Sequence, residues 1–253
     1  MRTLFLDCCM GAAGDMLTAA LLELLPDRAQ FVEELNRLGI PGVTYTLEPS
    51  QKCGITGSYM SVTVNGQEED AHDHHDHHHH HHEHHHGSMH EIEHIVSHLP
   101  VSDGVKEHIL SVYSLIAQAE SAVHGVAVSE IHFHEVGAMD AVADVAAVCL
   151  LMERLAPERV VVSPIHVGYG QVRCAHGILP VPAPATALLL LGMPTSAGNI
   201  PGELCTPTGA ALLKHFATEF GNQPPMTVRA IGYGMGKKDF PAANCLRAML
   251  GES

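Results

Sequence analysis

Read from its first residue, the chain opens on an apolar run, Thr3-Leu4-Phe5-Leu6, which predicts a short buried strand. A glycine-punctuated turn follows, Asp7-Cys8-Cys9-Met10-Gly11-Ala12-Ala13-Gly14-Asp15, opening a helix that Pro26 stops after about Leu25. A second helix is predicted over Arg28 to Leu38, ending at Gly39, and Val43 to Leu47 and Tyr59 to Val64 read as strands. Residues 66–89 carry no apolar residue able to anchor them before Met89 and read as a disordered, His-rich acidic loop. Helices resume at His90 to Leu99 and at Asp103 to His124. The second is capped by Ser102, with an apolar stripe at Val105, Ile109, Val112, Ile116, Ala119 and Val123. Ala138 to Leu155 is helical and Arg159 to Ser163 a buried strand; Pro180, Pro182 and Pro184 interrupt the chain before a short helix through Leu191. Thr206-Pro207 starts a helix to about Phe220. Thr227 to Ile231 and Asn244 to Leu250 read as strands around a glycine-rich turn. There is no internal repeat. Strands and helices mix without strict alternation, which predicts an α/β or α+β fold, a mixed sheet with flanking helices.

Composition sharpens this picture in two respects. There is no Trp and aromatics are only 4%, so the core is built from aliphatic residues, Ala and Met. With 28 acidic against 13 basic side chains, the formal charge of −15 disfavours nucleic acid and anionic membranes and favours cations. Apolar stretches such as Val145 to Met152 are too short to span a bilayer. The seven Cys include no CxxC pair, which argues against a structural zinc site. Their odd number, with no basic leader at the N-terminus, predicts reduced thiols and a cytoplasmic chain.

Histidine changes the picture most. Of the 22 His, twelve fall within the fifteen residues from 72 to 86: His72, His74, His75, His77, His78, His79, His80, His81, His82, His84, His85 and His86. Imidazole suits nickel, copper and zinc, and such a tract gathers several ions loosely because nothing fixes its geometry. The bland reading is an expression tag, His77 to His82 with Gly87-Ser88-Met89 as a cloning scar. The internal position and the interruptions at Asp73, Asp76 and Glu83 favour a native loop. His90, His94 and His98 share one helix face and either extend the site or form a solvated stripe.

A second, more compact set lies at Ile131-His132-Phe133-His134-Glu135-Val136-Gly137-Ala138-Met139-Asp140. In an extended segment His132 and His134 point to one side. Asp140 and Asp144 lie one helical turn apart. With Glu135 they form a candidate ligand set for nickel, zinc, manganese or iron. The competing reading has the imidazoles bonded to backbone, one Asp as a helix cap and the other a surface charge. Asp7, Gly11, Gly14 and Asp15 at a helix start form a candidate phosphate or metal–nucleotide site, with a tight strand-to-helix turn as the alternative. Thr206 and Thr208 offer hydroxyls at another helix start, where capping is the simpler role. Gly232 to Lys238 is a flexible, locally basic stretch that either covers an anion or forms a hairpin loop. There is no P-loop and no GxSxG, and no catalytic nucleophile stands out.

The motifs occur in a definite order. They are Asp7-x-x-x-Gly11-x-x-Gly14-Asp15-Met16, the acidic His-rich loop, His132-Phe133-His134-Glu135-Val136-Gly137-Ala138-x-Asp140, Glu203-Leu204-x-Thr206-Pro207-Thr208-Gly209-Ala210, and Gly232-x-Gly234-x-Gly236 followed by Asn244-x-Leu246-Arg247. Taken together they resemble LarC, the nickel-insertion protein of lactate-racemase maturation, and the resemblance covers essentially the whole chain. It implies a CTP-dependent cyclometallase of the lyase class. Such an enzyme places Ni2+ in pyridinium-3,5-bisthiocarboxylic acid mononucleotide, the pincer cofactor, while CTP is split to CMP and pyrophosphate. It further implies apo-lactate racemase as acceptor and a homo-oligomer. On this resemblance residues 1–253 correspond to the family's N-terminal domain. The C-terminal domain, which binds most of the CTP with Mg2+ or Mn2+, is absent, so catalysis is expected to need a C-terminal half. A nickel store or metallochaperone is the competing expectation, and a metal-dependent hydrolase a further one.

Overall fold

The computed structural model describes residues 1–68, 87–133, 138–174 and 176–253. β1 (Arg2–Asp7) leads into α1 (Gly14–Leu22) and α2 (Arg28–Asn36). β2 (Val43–Lys52) and β3 (Ile55–Val64) form a hairpin, and β4 (Gln67–Glu68) folds back onto β3. β5 (Gly87–Ser88) precedes α3 (Met89–His98) and α4 (Asp103–His124), then β6 (His132–Phe133), α5 (Met139–Leu155) and β7 (Arg159–Val162). Short strands follow: β8 (Ile165–His166), β9 (Gly168–Tyr169), β10 (Gln171–Cys174) and β11 (Gly177–Pro180). The chain continues through α6 (Pro184–Leu189), β12 (Thr195–Ser196), β13 (Gly202–Glu203) and α7 (Pro207–Phe216). It ends with β14 (Glu219–Phe220), β15 (Thr227–Met235) and β16 (Cys245–Glu252).

The main sheet has the order β14-β7-β1-β16-β15-β3-β2, with β4 on β3. β1 runs parallel to β7 and antiparallel to β16, and β15 parallel to β3, so the sheet is mixed and the fold is α/β. The period-2 alternation sorts β1: Leu4 and Leu6 join the main core under the helices, while Phe5 packs with Val161 and Met249 in a separate small cluster. Every residue of α1 is buried except Asp15, which is half-buried, and this explains the helix's apolar sequence. The helix lies directly on β15, where a Cβ at Gly232 would stand 2.1 Å from the Ala20 carbonyl oxygen and one at Gly234 1.9 Å from that of Met16. Those glycines therefore belong to a strand under a helix, not to the flexible turn expected from the sequence. α5 is the second central helix, with twelve buried residues.

Other boundaries differ for identifiable reasons. β2 runs on through Pro49 to Lys52, and β3 begins at Ile55, joined by Cys53 and Gly54, both at positive φ. Pro49 is tolerated because β2 is the sheet's edge. The helix from Thr206 stops at Phe216, and Glu219–Phe220 pairs with β7 instead of continuing it. Of the residues predicted as a loop, 66–89, the structure places 67–68 in β4, 87–88 against β6 and Met89 in α3, while 69–86 lie outside the described residues. Ser88 and Glu91 form a reciprocal capping box, so Gly87-Ser88-Met89 is fitted to the start of α3. Among the described residues no helix is long and apolar enough to cross a membrane.

Candidate functional site

The strand β1 delivers the chain to a turn that is clamped on two sides. Gly11 N–H donates to the Cys8 carbonyl (2.9 Å), Ala12 N–H to Leu204 (3.1 Å), and Thr206 N–H to Ala12 (3.0 Å). Two motifs far apart in sequence are thereby locked together. Thr206 caps α7, its hydroxyl accepting from Gly209 N–H at 3.1 Å, and Thr208 is buried. Asp7 is held by Arg247 at 2.6 Å. Burial pushes its carboxyl up, but the hydrogen bond from Cys9 and the guanidinium of Arg247 outweigh this and hold it below the usual range.

Beyond the turn, the N-termini of α1 and α5 converge. Gly14 makes this approach possible: a Cβ there would lie 2.5 Å from both Cβ and Oδ2 of Asp144. Asp15, in the first turn of α1, and Asp140 and Asp144 of α5 line one cavity of about 120 Å³ with Glu68, Tyr59 and Lys237. The backbone N–H of Asp15 bonds the Asp144 carboxylate, and Asp15 Oδ1 accepts from Met16 N–H at 2.7 Å. The positive end of α1 thus faces the protein's own Asp144 carboxyl, and the Asp15 and Met16 N–H groups that a phosphate would use there are engaged.

The electrostatics follow from that crowding. Burial, then the nearby Asp15 and Asp140 charges, push the Asp144 carboxyl well above the ordinary range. Burial likewise raises Asp15 to about 6, with Glu68 adding to the shift and Lys237 opposing it. Tyr59 is raised by burial and then by Asp15. Glu68 goes the other way: Ser61 bonds it, and Lys237 at 3.2 Å holds it ionised. Asp140 Oδ1 and Asp144 Oδ1 are shut off from solvent and have no hydrogen-bond partner among the described residues. Carboxylate oxygens packed together and unsatisfied call for a proton or a cation. As they stand, no three His, Cys, Asp or Glu side chains among the described residues are placed to hold a metal ion between them.

The structure therefore unites Asp15, expected at a phosphate site, with Asp140 and Asp144, expected at a metal site. It brings in Glu68, Tyr59 and Lys237, which the sequence reading missed. Lys237 had a signal in the basic stretch after Gly236, whereas nothing local marked Tyr59 or Glu68. Only the backbone of His132 is described, in β6; His134, Glu135 and the whole tract from His72 to His86 lie outside the described residues. His90, His94 and His98 form an exposed stripe on α3, with the His94 and His98 ring centroids 4.5 Å apart.

The sequence profile of the nickel insertion protein family matches residues 4–253. A putative nickel insertion protein of Geotalea daltonii is 41% identical over all of this chain and 62% of its own length. Proteins named pyridinium-3,5-bisthiocarboxylic acid mononucleotide nickel insertion protein, from Clostridium kluyveri and Geobacillus kaustophilus, are 40% and 37% identical, with 62% and 60% of their lengths covered. The chain thus spans about three-fifths of the length of these relatives. No solved structure matches it. A match of that kind, running from the first strand to the last, means that the chain belongs to the nickel insertion protein family.

Proposed function

We propose that this chain handles nickel in its insertion into pyridinium-3,5-bisthiocarboxylic acid mononucleotide, the pincer cofactor of lactate racemase. The single observation that carries this reading from the geometry is the carboxylate cavity where α1 and α5 meet, with its buried, unpartnered Asp140 and Asp144 oxygens. Family membership and the names of the relatives supply the metal and the substrate. Nickel is the cargo here. The donors facing the cavity are oxygens, which also suit magnesium and manganese; imidazoles tilt such a set toward nickel. We assign those imidazoles to His132 and His134, with Glu135, Asp140 and Asp144 completing the transfer site and the tract from His72 to His86 gathering the metal.

In the proposed reaction nickel bonds to two sulfurs and one ring carbon of the mononucleotide, and that carbon loses a proton. The reaction is assigned to a lyase-class cyclometallase that splits CTP, carried as its Mg2+ or Mn2+ complex, to CMP and pyrophosphate. We assign most CTP binding to a C-terminal half, which this chain needs for turnover, and delivery of the product to apo-lactate racemase. Residues 1–253 act in this scheme as one N-terminal domain within a homo-oligomer in the cytoplasm. Asp7, Gly11, Gly14, Asp15, Thr206 and Thr208 support the reaction as the scaffold beside the transfer site, bearing on nucleotide phosphates only through a bound divalent ion.

The test is replacement of His132 and His134 by Ala, each with a thermal melt to check the fold. Cofactor metallation is expected to fall to background while the melt is unchanged; full metallation would reject the assignment. A nickel store is the second reading, favoured by the twelve His between 72 and 86. Deleting residues 72–86 separates the two: a store loses all strong nickel binding, whereas an insertion protein keeps one tighter site.

A further inference from the structure

His108 of α4 and His215 in the last turn of α7 lie on helices that cross at the opposite end of α5 from the carboxylate cavity. His108 Nδ1 and His215 Nε2 face each other at 2.8 Å, with ring centroids 5.0 Å apart and ring planes at 71°. Phe216 packs beside both rings, its centroid 5.3 Å from His108 and 4.7 Å from His215. His108 also lines a cavity of about 270 Å³ whose wall includes Glu153 and Phe216. His108 is exposed and His215 partly buried, so one side of the pair is open to solvent.

We propose that His108 and His215 form a two-imidazole site for a borderline divalent transition-metal ion, nickel, zinc or copper, separate from the carboxylate cavity. Two nitrogens each about 2.1 Å from one ion lie about 3 Å apart at a right angle and about 3.4 Å apart at a tetrahedral one, so the 2.8 Å spacing already present opens by a few tenths of an ångström. In the hydrogen-bonded pair the facing lone pairs lie along the N···N line, so each ring turns by roughly 35–45° for both to meet at an ion beside that line. The protonation balance also works. In a neutral pair one facing nitrogen carries the hydrogen of the N–H···N bond. When the metal enters, that imidazole takes its hydrogen on the far nitrogen, so both facing lone pairs are free and no net proton is lost. Burial and the neighbouring His108 hold His215 below the ordinary histidine range, which keeps it in the neutral, ligating form near pH 7. Lys214, the nearest cation in sequence, is turned away, its ammonium donating to the Leu189 and Leu191 carbonyls. Glu153 on the cavity wall adds a negative charge to the neighbourhood, although its carboxylate already accepts from Ser102. Water fills the remaining coordination positions.

The test is long-range 1H–15N NMR of the imidazoles in the full chain titrated with Zn2+, a diamagnetic probe of the same ligand preference. His108→Gln and His215→Gln identify the two signals and report the fold through the amide spectrum. In the wild type, both imidazoles are expected to adopt metal-bound patterns at Nδ1 of His108 and Nε2 of His215, with one midpoint. In His215→Gln the midpoint at His108 is expected to rise by at least about tenfold, because the second ligand no longer acts at high effective concentration. The proposal is overturned if other histidines shift to saturation while this pair keeps its N–H···N pattern. A shift at one ring alone, or a midpoint at His108 unaffected by His215→Gln, overturns it equally.

Discussion

Replacing Asp15 by Asn isolates the electrostatic cost of the carboxylate cavity. The amide oxygen keeps the acceptor for Met16 N–H, a 2.7 Å bond, so the change removes charge with little change of shape. The carboxyl rises from 3.8 to about 6 on folding, chiefly through burial. A shift of that size corresponds to about 3 kcal/mol of stability at pH 8. Because the folded value lies above the unfolded one, the native state binds the extra proton. The wild type is therefore best off below pH 4 and loses stability as pH climbs from about 4 through 6. Asp15→Asn escapes that loss. The variant should match the wild type near pH 4 and exceed it by about 3 kcal/mol at pH 8, about 6–12 °C in melting temperature for a chain of this size. Guanidinium denaturation of the metal-free protein at both pH values measures this. Equal stability at pH 8, or a less stable variant, would refute the claim that these carboxylates are crowded and unsatisfied.

Three further outcomes follow from the same geometry. Gly14→Ala places a Cβ 2.5 Å from Asp144, so α1 and α5 must separate, and a loss of about 1–3 kcal/mol is expected in a denaturant titration. Mn2+, which prefers oxygen donors, should bind the cavity more tightly as pH rises from 5 to 7, by up to about tenfold per unit for each proton displaced. Electron paramagnetic resonance of free Mn2+ follows this, and Asp144→Asn should weaken binding and flatten the profile. Ser102→Ala removes the cap that bonds Val105 N–H at 3.1 Å and should cost about 1 kcal/mol, read as a lower melting temperature.

Much of the fold was legible because long amphipathic or wholly apolar stretches have one solution. The stripe through Val105, Ile109, Val112 and Ile116 gives α4 to the residue, and 141–152, apolar but for Asp144, reads as a central helix. The polar end of β2 was hidden because an edge strand need not alternate cleanly. Gly232 and Gly234 misled because a glycine that admits a helix backbone looks, in one dimension, like a glycine in a turn. The candidate site was half legible. Asp140 and Asp144 share a helix face by spacing alone, but only the packing of Gly14 on Asp144 brings Asp15 to them. Tyr59 and Glu68 arrive through the β3–β4 register, which no local pattern encodes.

The most direct test of the central claim is reconstitution: this chain with Ni2+, CTP, Mg2+ and the sulfurated pyridinium mononucleotide, with and without a separately supplied C-terminal half. The readout is the activity of added apo-lactate racemase. Activation only when the C-terminal half is present is the predicted result, and it makes this chain the nickel-bearing part of the insertion machinery. No activation in either mixture, with nickel still tightly bound to the chain, would contradict the insertion account and favour storage.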